Sequence, residues 1–177
     1  MRYLPEGKIT LQGISFAKVD RNPKIDLIGF VAIPNKGSKI KVFFNRGEKG
    51  IGRNIGDSRI QTLDETIQFL ATGDIDNNGV DDLVLITSAS KTGSVKILLN
   101  NGKGYFFSKE GLELPFIYRG VERLDLVDFD QDGDIDLIFT GTKVLSENGK
   151  IHKLQGQVFV NRGNEQFDDM TTLLWPK

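Results

Sequence analysis

Asp128, Asp130, Asp132, Gly133, Asp134 and Asp136 stand between two apolar runs in LDLVDFDQDGDIDLIFTGT, the pattern D-x-D-x-D-G-x-x-D. Carboxylates so close repel one another, each pair by roughly 1 kcal/mol in water and more where solvent is thin. A folded loop of this composition expects a cation. Alternate Asp residues suit a hard one: a Ca²⁺ loop presents side-chain oxygens at positions 1, 3 and 5, a backbone carbonyl at 7, and Gly at 6 for the sharp turn. The carbonyl here is that of Asp134. An EF-hand also needs a Glu at position 12 and flanking helices, but position 12 is Phe139 and the flanks LDLV and DLIFT are short and strand-like. Asp132-Gly133 is a favourable hairpin dipeptide too, so a plain acidic turn is the competing reading.

The loop has a copy in GDIDNNGVDDLVLIT, with Asp74, Asp76, Asn78, Gly79 and Asp82 in register and Val80 supplying the carbonyl. A weaker third copy, FAKVDRNPKIDLIGFVA, has Lys18 at the first position, then Asp20, Asn22, Pro23 at the glycine position, and Asp26. The closing aspartates 26, 82 and 136 lie 56 and then 54 residues apart. KVFFNRG, KILLNNG and QVFVNRG repeat with them, each an apolar run into Asn-x-Gly, a turn signal. Six residues beyond each Asn come Ile51, Phe106 and Phe167, expected to open a further strand.

These landmarks predict three four-stranded antiparallel repeats, about 1–55, 56–110 and 111–177, in a single all-β domain spanning 1–177. In the second repeat the strands are expected near 68–73, 82–87, 94–100 and 105–109. Nearly unbroken apolar runs such as DLVLIT and VKILLN suit strands covered on both faces. Four strands at a period near 50 describe a β-propeller blade. The third repeat carries a longer hairpin over 142–156, with Asn148-Gly149 as a good turn and His152 within it, an expected place for recognition or an idle extension.

Composition bounds the function classes. With 38% hydrophobic and 27% charged residues the chain has the balance of a globular protein, and a net charge of −1 with scattered Lys and Arg gives nucleic acid or an anionic membrane little to hold. Lys36, Lys39 and Lys41 alternate along an expected strand as a solvated face. There is no cysteine, hence no disulfide or thiolate site. No apolar run approaches a membrane span, and MRYLPEGKIT is no signal peptide. One His and no Cys leave little for nucleophilic catalysis. Glycoside hydrolysis needs two carboxylates facing one bond, and the patterned acids are committed to a metal; Asp168-Asp169 or Glu110 with Glu113 remain as pairs that sequence cannot place. Trp175, beside Leu173 and Leu174, reads as packing rather than a sugar platform.

GDIDNNGVDDLVL and VDFDQDGDIDLIF, in their repeated strand context, resemble the FG-GAP/VCBS repeat family, best known from the calcium-binding blades of integrin alpha-subunit propellers. The resemblance runs from about Thr10 to Phe167. It implies Ca²⁺ in the loop joining the first two strands of a blade, with ligand roles at Asp74, Asp76, Asn78, the Val80 carbonyl and Asp82, and at Asp128, Asp130, Asp132, the Asp134 carbonyl and Asp136. It also implies a non-catalytic surface for a protein or glycan partner, as in adhesion, on an extracellular or cell-surface protein. A propeller belonging to a carbohydrate-active enzyme and a structural spacer are the alternatives. The first repeat departs from the pattern, so no metal is expected between Lys18 and Asp26, where the Lys18 ammonium is expected to neutralise Asp20 and Asp26. The loop 128–136, with four side-chain carboxylates against three in 74–82, is expected to bind more tightly. Three blades are too few to close a ring, so either the chain is part of a larger propeller or copies assemble, for example two chains giving six blades.

Overall fold

The computed structural model describes residues 11–51, 58–88, 94–115, 121–144 and 152–171. Three four-stranded antiparallel sheets follow one another along the chain. The first joins β1 (Gly13–Ala17), β2 (Asp26–Ile33), β3 (Gly37–Phe43) and β4 (Ser58–Leu63) in that order. The second joins β5 (Ile67–Gly73), β6 (Asp82–Thr87), β7 (Ser94–Asn100) and β8 (Phe106–Pro115), and the third β9 (Val121–Val127), β10 (Asp136–Val144), β11 (His152–Asn161) and β12 (Phe167–Asp169). Trp175 with Leu173 and Leu174, and the tip of the 142–156 hairpin including Asn148-Gly149, lie outside the described residues, as do the side chains of His152, Glu110 and Glu113.

Each sheet is an up-and-down meander, in which strands that follow one another in the chain pair antiparallel. In the second and third sheets the last strand opens at Phe106 and Phe167, where the repeat places it. The first sheet differs. A 3-10 turn over Gly47–Lys49 and Gly50 at φ 84° end the local pairing, so Ile51 makes a single bridge to Asn45. The fourth strand is instead Ser58–Leu63, and the first two sheets end at Leu63 and Pro115, beyond the repeat limits read from sequence.

Side chains alternate across each strand, and the two faces pack against different neighbours. Ile28, Phe30, Ile40 and Val42 of the first sheet meet Leu83, Leu85 and Leu98 of the second in one apolar layer. Val84, Ile86, Val95 and Ile97 of the second meet Leu137, Phe139 and Phe159 of the third in another. Each sheet thus has a forward face toward its successor and a rear face toward its predecessor. β6 is buried on both, which explains its unbroken apolar run. Phe139 and Phe159 meet edge to face, 5.9 Å between centroids and 80° between planes. Full burial of each such side chain stabilises by about 1.5–3 kcal/mol. The inner strands stand side by side, β1 on β5 and β5 on β9, and among the described residues the sheets are not closed into a ring.

Candidate metal centres

The loop between the first two strands of each sheet is tied down by its closing aspartate. Asp26, Asp82 and Asp136 are fully buried. One oxygen of each accepts the backbone N–H of the loop's second residue: Val19 at 3.3 Å, Ile75 at 2.8 Å, Phe129 at 2.7 Å. The other accepts the backbone N–H of the Asn in Asn-x-Gly: Asn45 at 2.7 Å, Asn100 at 2.7 Å, Asn161 at 2.8 Å. That Asn turns back through its side chain, its Oδ1 accepting the N–H of Gly47, Gly102 or Gly163 two residues on. The two repeated landmarks of the sequence are therefore one hydrogen-bonded unit.

In the second and third sheets the loop wraps around its first aspartate. Asp74 accepts the N–H groups of Asn78 and Gly79 at 2.9 and 2.8 Å, and Asp128 those of Asp132 and Gly133, both at 3.1 Å. The turn needs left-handed backbone at Asn77 and Gly79 (φ 56° and 89°) and at Gln131 and Gly133 (φ 63° and 95°). Glycine supplies that conformation without strain.

Carboxylate oxygens of Asp74, Asp76 and Asp82 lie within 4.8 Å of one another, as do those of Asp128, Asp130 and Asp136. These two triads could hold a metal ion. The donor set is all oxygen, which suits a hard cation, and a carboxylate oxygen that accepts one N–H still has a lone pair to offer. Burial, reinforced by Asp76 and Asp74, pushes Asp82 up to about 7 against the opposing pull of the Asn100 and Ile75 N–H groups. A cation in the triad would reverse that.

Among the other residues singled out, Asn78 and Asp132 accept through Oδ1 the N–H of Val80 at 3.0 Å and of Asp134 at 2.9 Å. The Asp134 side chain turns to the neighbouring loop, accepting from Asn77 Nδ2 at 2.5 Å.

The first loop has neither the wrap nor the triad. Lys18 offers no acceptor, Pro23 is locked near φ −65°, and no described residue from 18 to 26 takes a positive φ. The cation seen against Asp20 is Arg46, at 2.9 Å, rather than Lys18. Lys18 instead meets the second sheet through its backbone: its N–H donates to Asp81 Oδ2 at 2.7 Å and its carbonyl accepts from Asp81 N–H at 2.8 Å. Burial raises the Asp81 carboxyl.

Sequence reasoning missed two features. Asp81 occupies a loop position that is Ile25 and Ile135 in the other repeats, and that polar exception was the available signal. The arginines of the Asn-Arg-Gly turns were also unread. Arg162, the counterpart of Arg46, lies 2.9 Å from Asp130 and 3.0 Å from Asp168, which engages one member of the Asp168-Asp169 pair.

Between the first and second sheets lies a cleft of about 260 Å³, lined by Arg21, Arg46, Arg59 and Lys103 with Asp20 as its acid. Arg59 donates to the Lys103 carbonyl at 2.8 Å and stacks over Tyr105, 4.0 Å from its centroid. Among the described residues no helix is long and apolar enough to cross a membrane. No protein-family model matches the chain, and no curated protein matches it.

Proposed function

We propose that this chain is a calcium-stabilised, non-catalytic binding module built from β-propeller blades of the FG-GAP/VCBS kind. One observation carries the reading: Asp triads recur at equivalent places in two successive sheets, each in a loop whose closing aspartate is fully buried. Calcium there is structural. It neutralises acids the fold holds together and stabilises the folded state that binds it. The side-chain oxygens of Asn78 and Asp132 and the carbonyls of Val80 and Asp134 complete the two ligand sets. Millimolar calcium outside cells suits such loops, which favours an extracellular or cell-surface setting.

The partner is a protein or glycan bearing an acidic group, for which the cleft of Arg21, Arg46, Arg59 and Lys103 is the matching surface. Titration calorimetry tests the metal: two calcium ions per chain, one in Asp74→Asn and one in Asp128→Asn, with the melting temperature rising on calcium addition. A chain that binds none, or whose stability ignores calcium, overturns the reading.

A further inference from the structure

The two internal junctions define what a sheet of this chain does when it has a neighbour, and among the described residues each outer sheet has such a neighbour on one face only. At the first junction Asn100 Nδ2 reaches out of the second sheet to the Val19 carbonyl at 2.9 Å, while also donating to Asp81 in its own loop at 2.9 Å. At the second, Asn161 Nδ2 reaches the Ile75 carbonyl at 3.1 Å and its own Ile135 at 3.3 Å. Asn45 makes the within-sheet bond to Ile25 at 3.0 Å, and among the described residues no earlier loop meets it. The carbonyl matching Val19 and Ile75 at the far end is that of Phe129.

Apolar surface follows the same logic. On the rear face of the first sheet Phe16 stands opposite Leu27, and Leu27 opposite Phe43; Lys41 in the next row stands opposite Ile60. Phe16 is 65% exposed, whereas its counterpart Leu126 packs on Gly73 of the preceding sheet. Leu27 and Phe43 are half-buried, whereas their counterparts Leu83, Leu137, Leu98 and Phe159 are buried. On the forward face of the third sheet Phe129 is 48% exposed against 0% for Val19 and 2% for Ile75. Val127 is exposed and Ile138 half-buried, against buried Ala17 and Ile28. Val158 and Val160, farther out on that face, are already buried, so the open part is the inner strand and its loop. Inner strands also make the contact at both internal junctions.

We infer that a second copy of this chain docks the rear face of its first sheet onto the forward face of the third, repeating the internal junction, with Asn45 donating to the Phe129 carbonyl of the other copy. A second copy is the matching occupant because each open face is one half of a junction the chain already forms twice, and one copy supplies the half the other lacks. The contact is head to tail, so two copies make it twice when they close on one another. It extends the proposed function by naming one partner, and it does not depend on the metal.

Sedimentation velocity of the full chain over a dilution series, in calcium and in chelator, tests this. The expected species is a dimer of 19.7 kDa chains. Phe16→Asp and Phe129→Ser, each shown folded by its circular dichroism, should separately weaken association by about tenfold or more. An equal mixture of the two should associate more tightly than either alone, because one of its contacts joins two unaltered faces. A wild-type monomer throughout the series overturns the inference, as does loss of the dimer in Phe16→Asp but not in Phe129→Ser, which would mean the rear face pairs with itself. Calorimetry on the same samples reports calcium binding separately, so failure of assembly and failure of the metal reading are distinguishable.

Discussion

The side-chain amide of Asn161 crosses from the third sheet to the backbone carbonyl of Ile75 in the second, 3.1 Å away. Ile75 is the second residue of an acidic loop, and its own N–H is held by the closing Asp82. The turn of one repeat thus fixes the acidic loop of the repeat before it.

Replacing Asn161 by Ala removes the bonds to Ile75 and Ile135 and the acceptor for Gly163 N–H, in a fully buried position. Leaving a buried polar group unpaired costs about 1–3 kcal/mol, so the chain should lose about 2–4 kcal/mol in urea unfolding. Asn45→Ala, which touches only its own sheet among the described residues, should cost the monomer less. Equal losses would mean that the bond across the sheets contributes nothing.

The affinity order expected from carboxylate count meets an opposing effect. Arg162 places a guanidinium 2.9 Å from Asp130 Oδ2, beside the triad of the loop 128–136. A fixed positive charge at that distance disfavours a second cation. Arg162→Gln should therefore tighten calcium binding at this loop, by ~2–5-fold because the side chain is solvated and screened, and leave the loop 74–82 unchanged. Calorimetry on Arg162→Gln in an Asp74→Asn background isolates the site. Weaker binding there would show that Arg162 organises the loop rather than competing with the ion.

Much of this unit is legible in the sequence because it is local. The spacing from loop to Asn-x-Gly works through Asp82 and Asn100, whose backbone bond is the physical content of the repeat. Apolar runs identified β6 and β7 for the same reason, since burial on both faces leaves a composition that periodicity can see. What the sequence hides is long-range. Asp81 reads as a second acid beside Asp82, and only the neighbouring sheet shows it holding Lys18. The expected pairing of Lys18 with Asp20 assumed that the nearest cation in sequence is the nearest in space, whereas Arg46 reaches Asp20 across the sheet. The fourth strand of the first sheet lies later than the repeat's spacing places it because Ile51 keeps that spacing while Gly50, at φ 84°, ends the pairing after a single bridge.

Burial raises Asp82 from its ordinary value of 3.8 to about 7 in the metal-free chain. Between those values the folded state keeps a proton that the unfolded state has released. Without calcium, this group's contribution to stability is therefore greatest below pH 4 and declines as pH rises toward 7. With calcium the carboxylate is paired and the decline should vanish. Calcium binding below pH 7 should also release a proton from this site, seen as an apparent enthalpy that changes with the ionisation enthalpy of the buffer. Asp82→Asn should abolish that release; binding enthalpies independent of the buffer at pH 6 would refute the coupling.

Asp81 separates the shape of an inter-sheet bond from its charge. Its carboxylate accepts the Lys18 N–H at 2.7 Å while its own N–H donates to the Lys18 carbonyl at 2.8 Å. Asp81→Ala keeps the backbone bond and strands the Lys18 N–H, a loss of about 1–3 kcal/mol. Asp81→Asn keeps an acceptor of the same reach and removes a carboxylate whose pKa burial has raised. It also removes the repulsion from Asp74. The Asn variant should thus match or exceed the wild type at pH 7. At pH 4, where much of the Asp81 carboxyl is protonated, the advantage should shrink. Chemical denaturation of the three proteins at both pH values measures this. If Asp81→Asn is as damaging as Asp81→Ala at pH 7, the charge itself holds the first two sheets together, through the attraction of Lys18.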